Sequence, residues 1–309
     1  MEKMADKSLR SPMGRFAPSP TGPLHFGSLV AAVGSYLLAK QAGGRWLLRV
    51  EDLDPPRVVP GSADSILSLL ERIGFEWDGP VIYQSQRFDR YAEIIDWLIE
   101  RQFVFECSCS RRELIASAPH SGDDGPIYPG TCRSGPVGNR AEKSLRLRVV
   151  DEEVGWCDPV FGCLQQNLQQ ELGDFVLRRA DGLYAYQLAV VVDDIDSAVT
   201  QVVRGADLLS STPRQIYLYR CLQQRPPDYV HLPLALGADG EKLSKRHGQS
   251  GVVDELNCDR ALWYAFSFLG QNPPSEMRGG STRELLQWGL QNFDLDAVGA
   301  SARPAPELV

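Results

Sequence analysis

The run Arg15-Phe-Ala-Pro18-Ser-Pro20-Thr-Gly22-Pro23-Leu-His25 constrains this chain more than any other segment. Three prolines and a glycine between positions 18 and 23 fix φ and remove amide donors, so neither a helix nor a sheet ladder can run through it. On its amino side Arg15-Phe-Ala suits a short strand. On its carboxyl side Leu24, Leu29, Val33, Leu37 and Leu38 recur at helical spacing, with Pro23 near the first turn. The order strand, constrained turn, helix follows, with His25 in the first turn of a helix that opens at the carboxyl end of a strand.

The rhythm continues downstream. Trp46 to Glu51 reads as a buried strand and Asp52 to Arg57 as a polar turn, with Ser62 capping a helix that runs to Ile73. Another helix spans Arg87 to Arg101, with Ile94, Ile95, Leu98 and Ile99 on one apolar stripe. Between 105 and 182 the pattern breaks into β-like runs such as Ser144 to Val150, with a Gly, Pro and Asp-rich loop from Pro119 to Gly138. It resumes from Leu183 to Asp193, continues through Thr200 to Arg204, and includes a helix near Arg214 to Gln224. Alternation of this kind implies an α/β fold whose sheet is mostly parallel, with helices on both faces.

Composition removes several classes of function. Acidic residues outnumber basic ones 40 to 32, and a net charge of -8 argues against attachment to nucleic acid through the overall field, so no DNA partner is expected. The longest apolar stretch, Leu29 to Ala39, is interrupted by Gly34 and Ser35 and falls well short of the roughly 20 residues that span a bilayer. The first 16 residues show no apolar signal region. A cytoplasmic protein with no membrane partner is the expectation. An odd count of seven cysteines there disfavours a disulfide framework and leaves metal ligation or burial.

Two short motifs carry the chemistry. His25-Phe-Gly27-Ser28 lacks the lysine of a G-x-x-x-x-G-K loop and is no G-x-G-x-x-G turn, so both common phosphate loops are excluded. What remains is an imidazole beside a helix N-terminus, where amide groups and the helix dipole favour a phosphate. Lys242-Leu-Ser244-Lys245-Arg246 places two lysines three apart in a Gly-flanked loop. Alone, each has a plain explanation, packing for the histidine and a solvated surface for the lysines.

Together, HFGS and KLSKR, in this order and more than 200 residues apart, resemble the paired HIGH and KMSKS signatures of class I aminoacyl-tRNA synthetases. The segment from Arg15 to His25 narrows the resemblance to the glutamyl-type enzymes. Ser28 departs from it, standing where HIGH has its second histidine. The resemblance implies a Rossmann-like catalytic domain over 15–104 and 183–250, preceded by a leader (1–14), split by an insertion (105–182) and followed by a small helical subdomain (251–309). It also implies ATP, with Mg2+, as a substrate. A carboxylate attacking the α-phosphate needs no protein nucleophile, only positioning and donors aimed at the developing charge. His25, Lys242 and Lys245 are the catalytic candidates, and His25, Gly27, Ser28 and Lys245 are the ATP-binding ones. By the same resemblance Arg15, Ser19, Glu51, Tyr186 and Arg204 bind L-glutamate. In the alternation read above, Arg15, Glu51, Tyr186 and Arg204 each fall at a strand end or a turn. Two arginines and one acid suit a substrate with two carboxylates and an ammonium. Asp193 and Asp194 are left unassigned between nucleotide and metal.

The insertion holds Cys107-Ser-Cys109 and Tyr128-Pro-Gly-Thr-Cys132. Three thiolates near a Gly/Pro loop suit one structural Zn2+, and chemistry alone would choose His120 as the fourth ligand. The spacing C-x-C-x18-Y-x3-C, however, resembles that of the glutamyl-queuosine tRNA(Asp) synthetases, a shortened glutamyl-type family, and this implies Tyr128 instead. Cys157, Cys163, Cys221 and Cys258 are read as ordinary buried residues. Only 63 residues follow Arg246, too few for the anticodon-binding region of full-length glutamyl enzymes. The resemblance therefore implies activation of glutamate without tRNA, then its transfer to the queuosine base of tRNA(Asp). Arg111, Arg112, Arg178 and Arg179 are candidate phosphate contacts. Charging of tRNA(Glu) at its 3′ end, or a non-catalytic tRNA-binding role favoured by Ser28, are the alternatives.

Overall fold

The computed structural model describes residues 11–309 except 118–120, 123–124, 139, 238, 242, 244–250, 307 and 309. Strand β1 (Met13–Phe16), helix α1 (Phe26–Gln41), strand β2 (Arg45–Val50), helix α2 (Ser62–Ile73) and strand β3 (Ile82–Tyr83) open the chain in alternation. β2 lies parallel to β1 on one side and to β3 on the other. After helix α3 (Phe88–Glu100), a break in the alternation begins with strand β4 (Val104–Cys107), helix α4 (Arg111–Ser117) and the short strands β5 (Ser121–Gly122) and β6 (Gly125–Pro126). Strands β7 (Ser144–Leu147), β8 (Glu153–Asp158), β9 (Gly162–Asn167) and β10 (Phe175–Arg178) complete it. β10, β7 and β4 form an antiparallel sheet, and β8 and β9 form a hairpin. The alternation resumes with α5 (Tyr186–Asp196), β11 (Gln201–Gly205), α6 (Thr212–Cys221) and β12 (Asp228–Leu232), where β11 and β12 are parallel. Strand β13 (Ala235–Leu236), helices α7 (Cys258–Phe268) and α8 (Thr282–Asn292) and strand β14 (Arg303–Pro304) follow.

The two parallel sheets meet at β1 and β11. Met13 N–H donates to Thr200 Oγ1 at 2.8 Å, and Thr200 N–H returns a bond to the Met13 carbonyl at 2.9 Å. Helix α1 crosses this junction closely. A Cβ on Gly34 would lie 2.6 Å from Leu232 Cδ1, so the helix can approach β12 only because residue 34 has no side chain. One core unites Phe16, Leu29, Val33, Leu37, Trp46 and Leu48 with Ala261, Leu262, Phe266 and Leu285 of α7 and α8. The last helices thus pack on the parallel fold. A second core joins α3, α5 and α6 to β7, β8 and β10 through Tyr91, Leu98, Leu147, Val154, Leu188 and Tyr217.

Several local expectations are corrected. His25 is the N-cap of α1 rather than a residue of its first turn, with φ -96° and ψ 158°. The α2 N-cap is Gly61, not Ser62. Ser62 Oγ instead donates to the Gly22 carbonyl at 2.6 Å and accepts from Gly22 N–H at 3.1 Å, stapling the proline turn to α2. On α3 the buried stripe is Tyr91, Ile95 and Leu98, while Ile99 is 43% exposed because it falls outside the contact arc. Tyr186 opens helix α5 rather than ending a strand, and α6 is shorter than the span to Gln224. Cys157 and Cys163 are exposed and face each other across the β8–β9 hairpin, where they form a disulfide. Periodicity alone gave no sign of that hairpin. Cys221 and Cys258 are free and buried. Among the described residues, no helix is long and apolar enough to cross a membrane.

Candidate active site

A cleft of about 640 Å³ opens at the carboxyl ends of β1, β2 and β11, the usual place for a ligand in an open α/β sheet. Arg15, Ser19, His25, Gly27, Ser28, Glu51, Tyr186 and Arg204 all line it. These are the expected site residues apart from Lys242 and Lys245, which lie outside the described residues. Leu243, adjoining Lys242 in the chain, also lines the cleft.

The proline turn carries the chain from β1 across the sheet edge into α1. At its end His25 is buried, and the segments on either side pair with the strand-like stretch 251–253. Phe26 N–H donates to the Gly251 carbonyl at 2.8 Å, and Val253 N–H to the Leu24 carbonyl at 2.8 Å. The His25 side chain does not cap α1, and the first turn of the helix has no acidic residue. The positive end of the helix dipole is therefore left facing the cleft, which suits a phosphate.

The opposite end of the cleft is built from charged groups with little access to water. Arg15 Nε lies 3.3 Å from Asp194 Oδ1, and Arg49 Nη1 donates to the same oxygen at 2.6 Å. Arg49 Nη2 reaches Glu51 Oε1 at 3.3 Å. Asp193 takes Gln84 Nε2 at 2.7 Å, Arg87 Nε at 2.5 Å and the Tyr91 hydroxyl at 2.9 Å. Burial pushes the Asp194 carboxyl upward, but Arg49 and then Arg15 outweigh it and hold the group below its ordinary value. For Glu51 burial wins over Arg49 and Arg15, and its carboxyl sits above its ordinary value. Asp193 and Asp194 anchor the arginines beneath the cleft. Arg49 and Arg87 were missed in the sequence. The available signal was an arginine inside the apolar strand Trp46 to Val50.

Arg204 is 4% exposed and extends from β11 to Gln215 Oε1 at 2.8 Å, Thr212 Oγ1 at 2.8 Å, Tyr186 Oη at 3.4 Å and His231 Nε2 at 3.1 Å. Burial raises the Tyr186 hydroxyl pKa, which keeps it protonated. The pocket therefore offers Glu51 to an ammonium, and Arg15 and Arg204 to carboxylates.

In the insertion, the sulfurs of Cys107, Cys109 and Cys132 lie within 4.8 Å of one another. Cys109 Sγ and Cys132 Sγ are 3.6 Å apart, and Tyr128 Oη is 3.5 Å from Cys107 Sγ. These spacings match the edge of roughly 3.8 Å that four ligands make around a zinc bound at about 2.3 Å. The donor set fits zinc. His120 lies outside the described residues. Arg111, Arg112, Arg178 and Arg179 are all exposed.

Residues 13–261 match the family described as tRNA synthetases class I (E and Q), catalytic domain. The chain is 53% identical over 287 residues to a glutamyl-Q tRNA(Asp) synthetase of Dechloromonas aromatica (strain RCB), covering 92% of this chain and 95% of that protein. A glutamyl-Q tRNA(Asp) synthetase of Geobacter sulfurreducens is 51% identical over 298 residues, covering 94% and 95%. Among solved structures, a glutamate tRNA ligase from Elizabethkingia meningosepticum, in complex with its amino acid, aligns with a TM-score of 0.76 and 27% identity. That alignment spans 95% of this chain and 67% of the ligase.

Proposed function

We propose, from the premise that the chain belongs to the class I tRNA synthetases of the E and Q type and within them to the glutamyl-Q tRNA(Asp) synthetases, that it activates L-glutamate with ATP and transfers it to queuosine in tRNA(Asp). The observation that carries this reading is the gathering of Arg15, Ser19, His25, Gly27, Ser28, Glu51, Tyr186 and Arg204 in one cleft.

The cleft divides by chemistry. Glutamate takes the end with Arg15, Glu51, Tyr186 and Arg204, its ammonium against Glu51 and its carboxylates against guanidinium groups. ATP takes the end with His25, Gly27 and Ser28, its phosphates at the N-terminus of α1. The glutamate α-carboxylate attacks the α-phosphorus, a new P–O bond forms, the bond to the β-phosphate oxygen breaks, and pyrophosphate leaves. His25 and Lys245 supply donors to the charge that builds on the phosphate oxygens, and the protein contributes positioning rather than a nucleophile. Magnesium, expected with the triphosphate, would neutralise part of that charge. In the second step a hydroxyl of the queuosine base attacks the adenylate carbonyl, and AMP leaves. Cys107, Cys109, Tyr128 and Cys132 would hold a structural zinc that ties the loops of the insertion together. Arg111, Arg112, Arg178 and Arg179, whose exposure supports the reading, would meet phosphates of the tRNA.

Transfer of labelled glutamate tests the reading. Label should enter tRNA(Asp) that contains queuosine, and enter neither tRNA(Asp) lacking it nor tRNA(Glu). Label in tRNA(Glu) alone would replace it with conventional charging, which relatives of the same length and about 50% identity do not favour.

A further inference from the structure

The two arginines of the amino-acid end are held in different ways. Arg15 is ion-paired with Asp194, whereas the four hydrogen bonds of Arg204 go to acceptors that carry no formal charge. One of these, His231 Nε2, can accept from the Arg204 Nε–H only if it has no proton of its own. The other side of the ring ensures that. Asp158 Oδ2 lies 2.8 Å from His231 Nδ1 and also accepts the His231 backbone N–H at 2.9 Å. Nδ1 therefore carries the proton and donates it to the carboxylate, and Nε2 keeps its lone pair. Neither the His231 nor the Asp158 side chain is reached by solvent. Asp158 is itself locked at the turn of the β8–β9 hairpin, where its Oδ1 accepts the Val160 and Phe161 amides at 2.9 and 3.0 Å.

We propose that His231, oriented by Asp158, is a positioning residue for glutamate recognition: it fixes the Arg204 guanidinium without neutralising it. A carboxylate at the same place would orient Arg204 equally well but cancel its charge, and the pocket would then hold an amide as readily as an acid. The neutral imidazole leaves the full charge for the substrate. It follows that the insertion supplies part of the amino-acid specificity, through a hairpin that does not line the cleft. The inference rests on the reading that this cleft binds glutamate.

Asp158→Asn tests it with almost no change of shape. The new amide donates to Nδ1, the ring proton moves to Nε2, and two donors then face each other at Arg204. In tRNA-free ATP/pyrophosphate exchange the glutamate KM should rise at least tenfold and the ATP KM stay within twofold, with the preference for glutamate over glutamine falling by a similar factor. His231→Leu should give the same split, and His231→Gln, which keeps an acceptor near the Nε2 position, should recover part of the loss. A glutamate KM within twofold of the parent in folded Asp158→Asn or His231→Leu protein would overturn the inference alone, and so would equal rises in both KM values. A parent with no exchange would overturn this inference and the functional reading together.

Discussion

His25 and Val252 face each other in an antiparallel bridge, so the buried imidazole of the cleft and the chain emerging from the segment that contains Lys245 share one wall. Leu243, at the other described end of that segment, packs into the same cleft. The described residues that flank 244–250, Leu243 and Val252, thereby both lie at the cleft wall that His25 shares. His25→Ala and Lys245→Ala should each lower the exchange rate about a hundredfold, equivalent to about 3 kcal/mol of lost transition-state stabilisation. On the proposed mechanism both donors serve the same phosphate, so the double variant should lose less than the product of the two effects. A measured product of the full size would mean that they act independently.

Arg204→Gln leaves the neutral partners in place and removes the charge. Its expected effect is a rise in the glutamate KM of about a hundredfold or more, on the scale of a buried charge-assisted pair, with the ATP KM unchanged. Substrate titration of the variant checks this, and an unchanged glutamate KM would place the carboxylate elsewhere.

Acid should weaken glutamate binding through Glu51. Burial holds its carboxyl above the ordinary value of 4.5, so as pH falls the group takes up a proton earlier than a solvated glutamate would, and the negative charge facing the substrate ammonium is lost. The window begins above the usual carboxylate range and ends where Glu51 is fully protonated. Glutamate KM measured against pH should show this acid limb in the parent and lose it in Glu51→Gln, whose KM is high throughout. A limb that persists in the variant would belong to another group.

The thiolate cluster predicts about one zinc per chain by metal analysis, absent from Cys132→Ser. Tyr128→Phe should give up zinc more readily to a chelator than the parent, while His120→Ala should match the parent. The reverse order would make His120 the fourth ligand.

The legible part of this protein was the part written in local geometry and in spaced motifs. Pro18, Pro20 and Pro23 announce the turn because they act on the backbone directly, and the sequence pattern placed α2 and α3 to within one residue at their starts, whereas α1 begins at Phe26, past the Pro23 expected near its first turn. The gathering of Arg15, Glu51, Tyr186 and Arg204 in one cleft was legible only through resemblance, since they are far apart in the chain and nothing local ties them together. What stayed hidden was the support beneath them. Asp158 on β8 meets His231 on β12, and Arg49 on β2 meets Asp193 on α5, contacts between residues far apart in the chain that no local pattern announces. The cross-strand partner of Cys157 was hidden for the same reason, because hairpin register sets which residues oppose each other.

Glutamate-dependent ATP/pyrophosphate exchange in the absence of any tRNA tests the central claim most directly. The account predicts exchange with glutamate and little with glutamine, lowered about a hundredfold in Lys245→Ala. No exchange by the parent protein, with Lys245→Ala indistinguishable from it, would contradict the account and leave a tRNA-binding protein without activation chemistry.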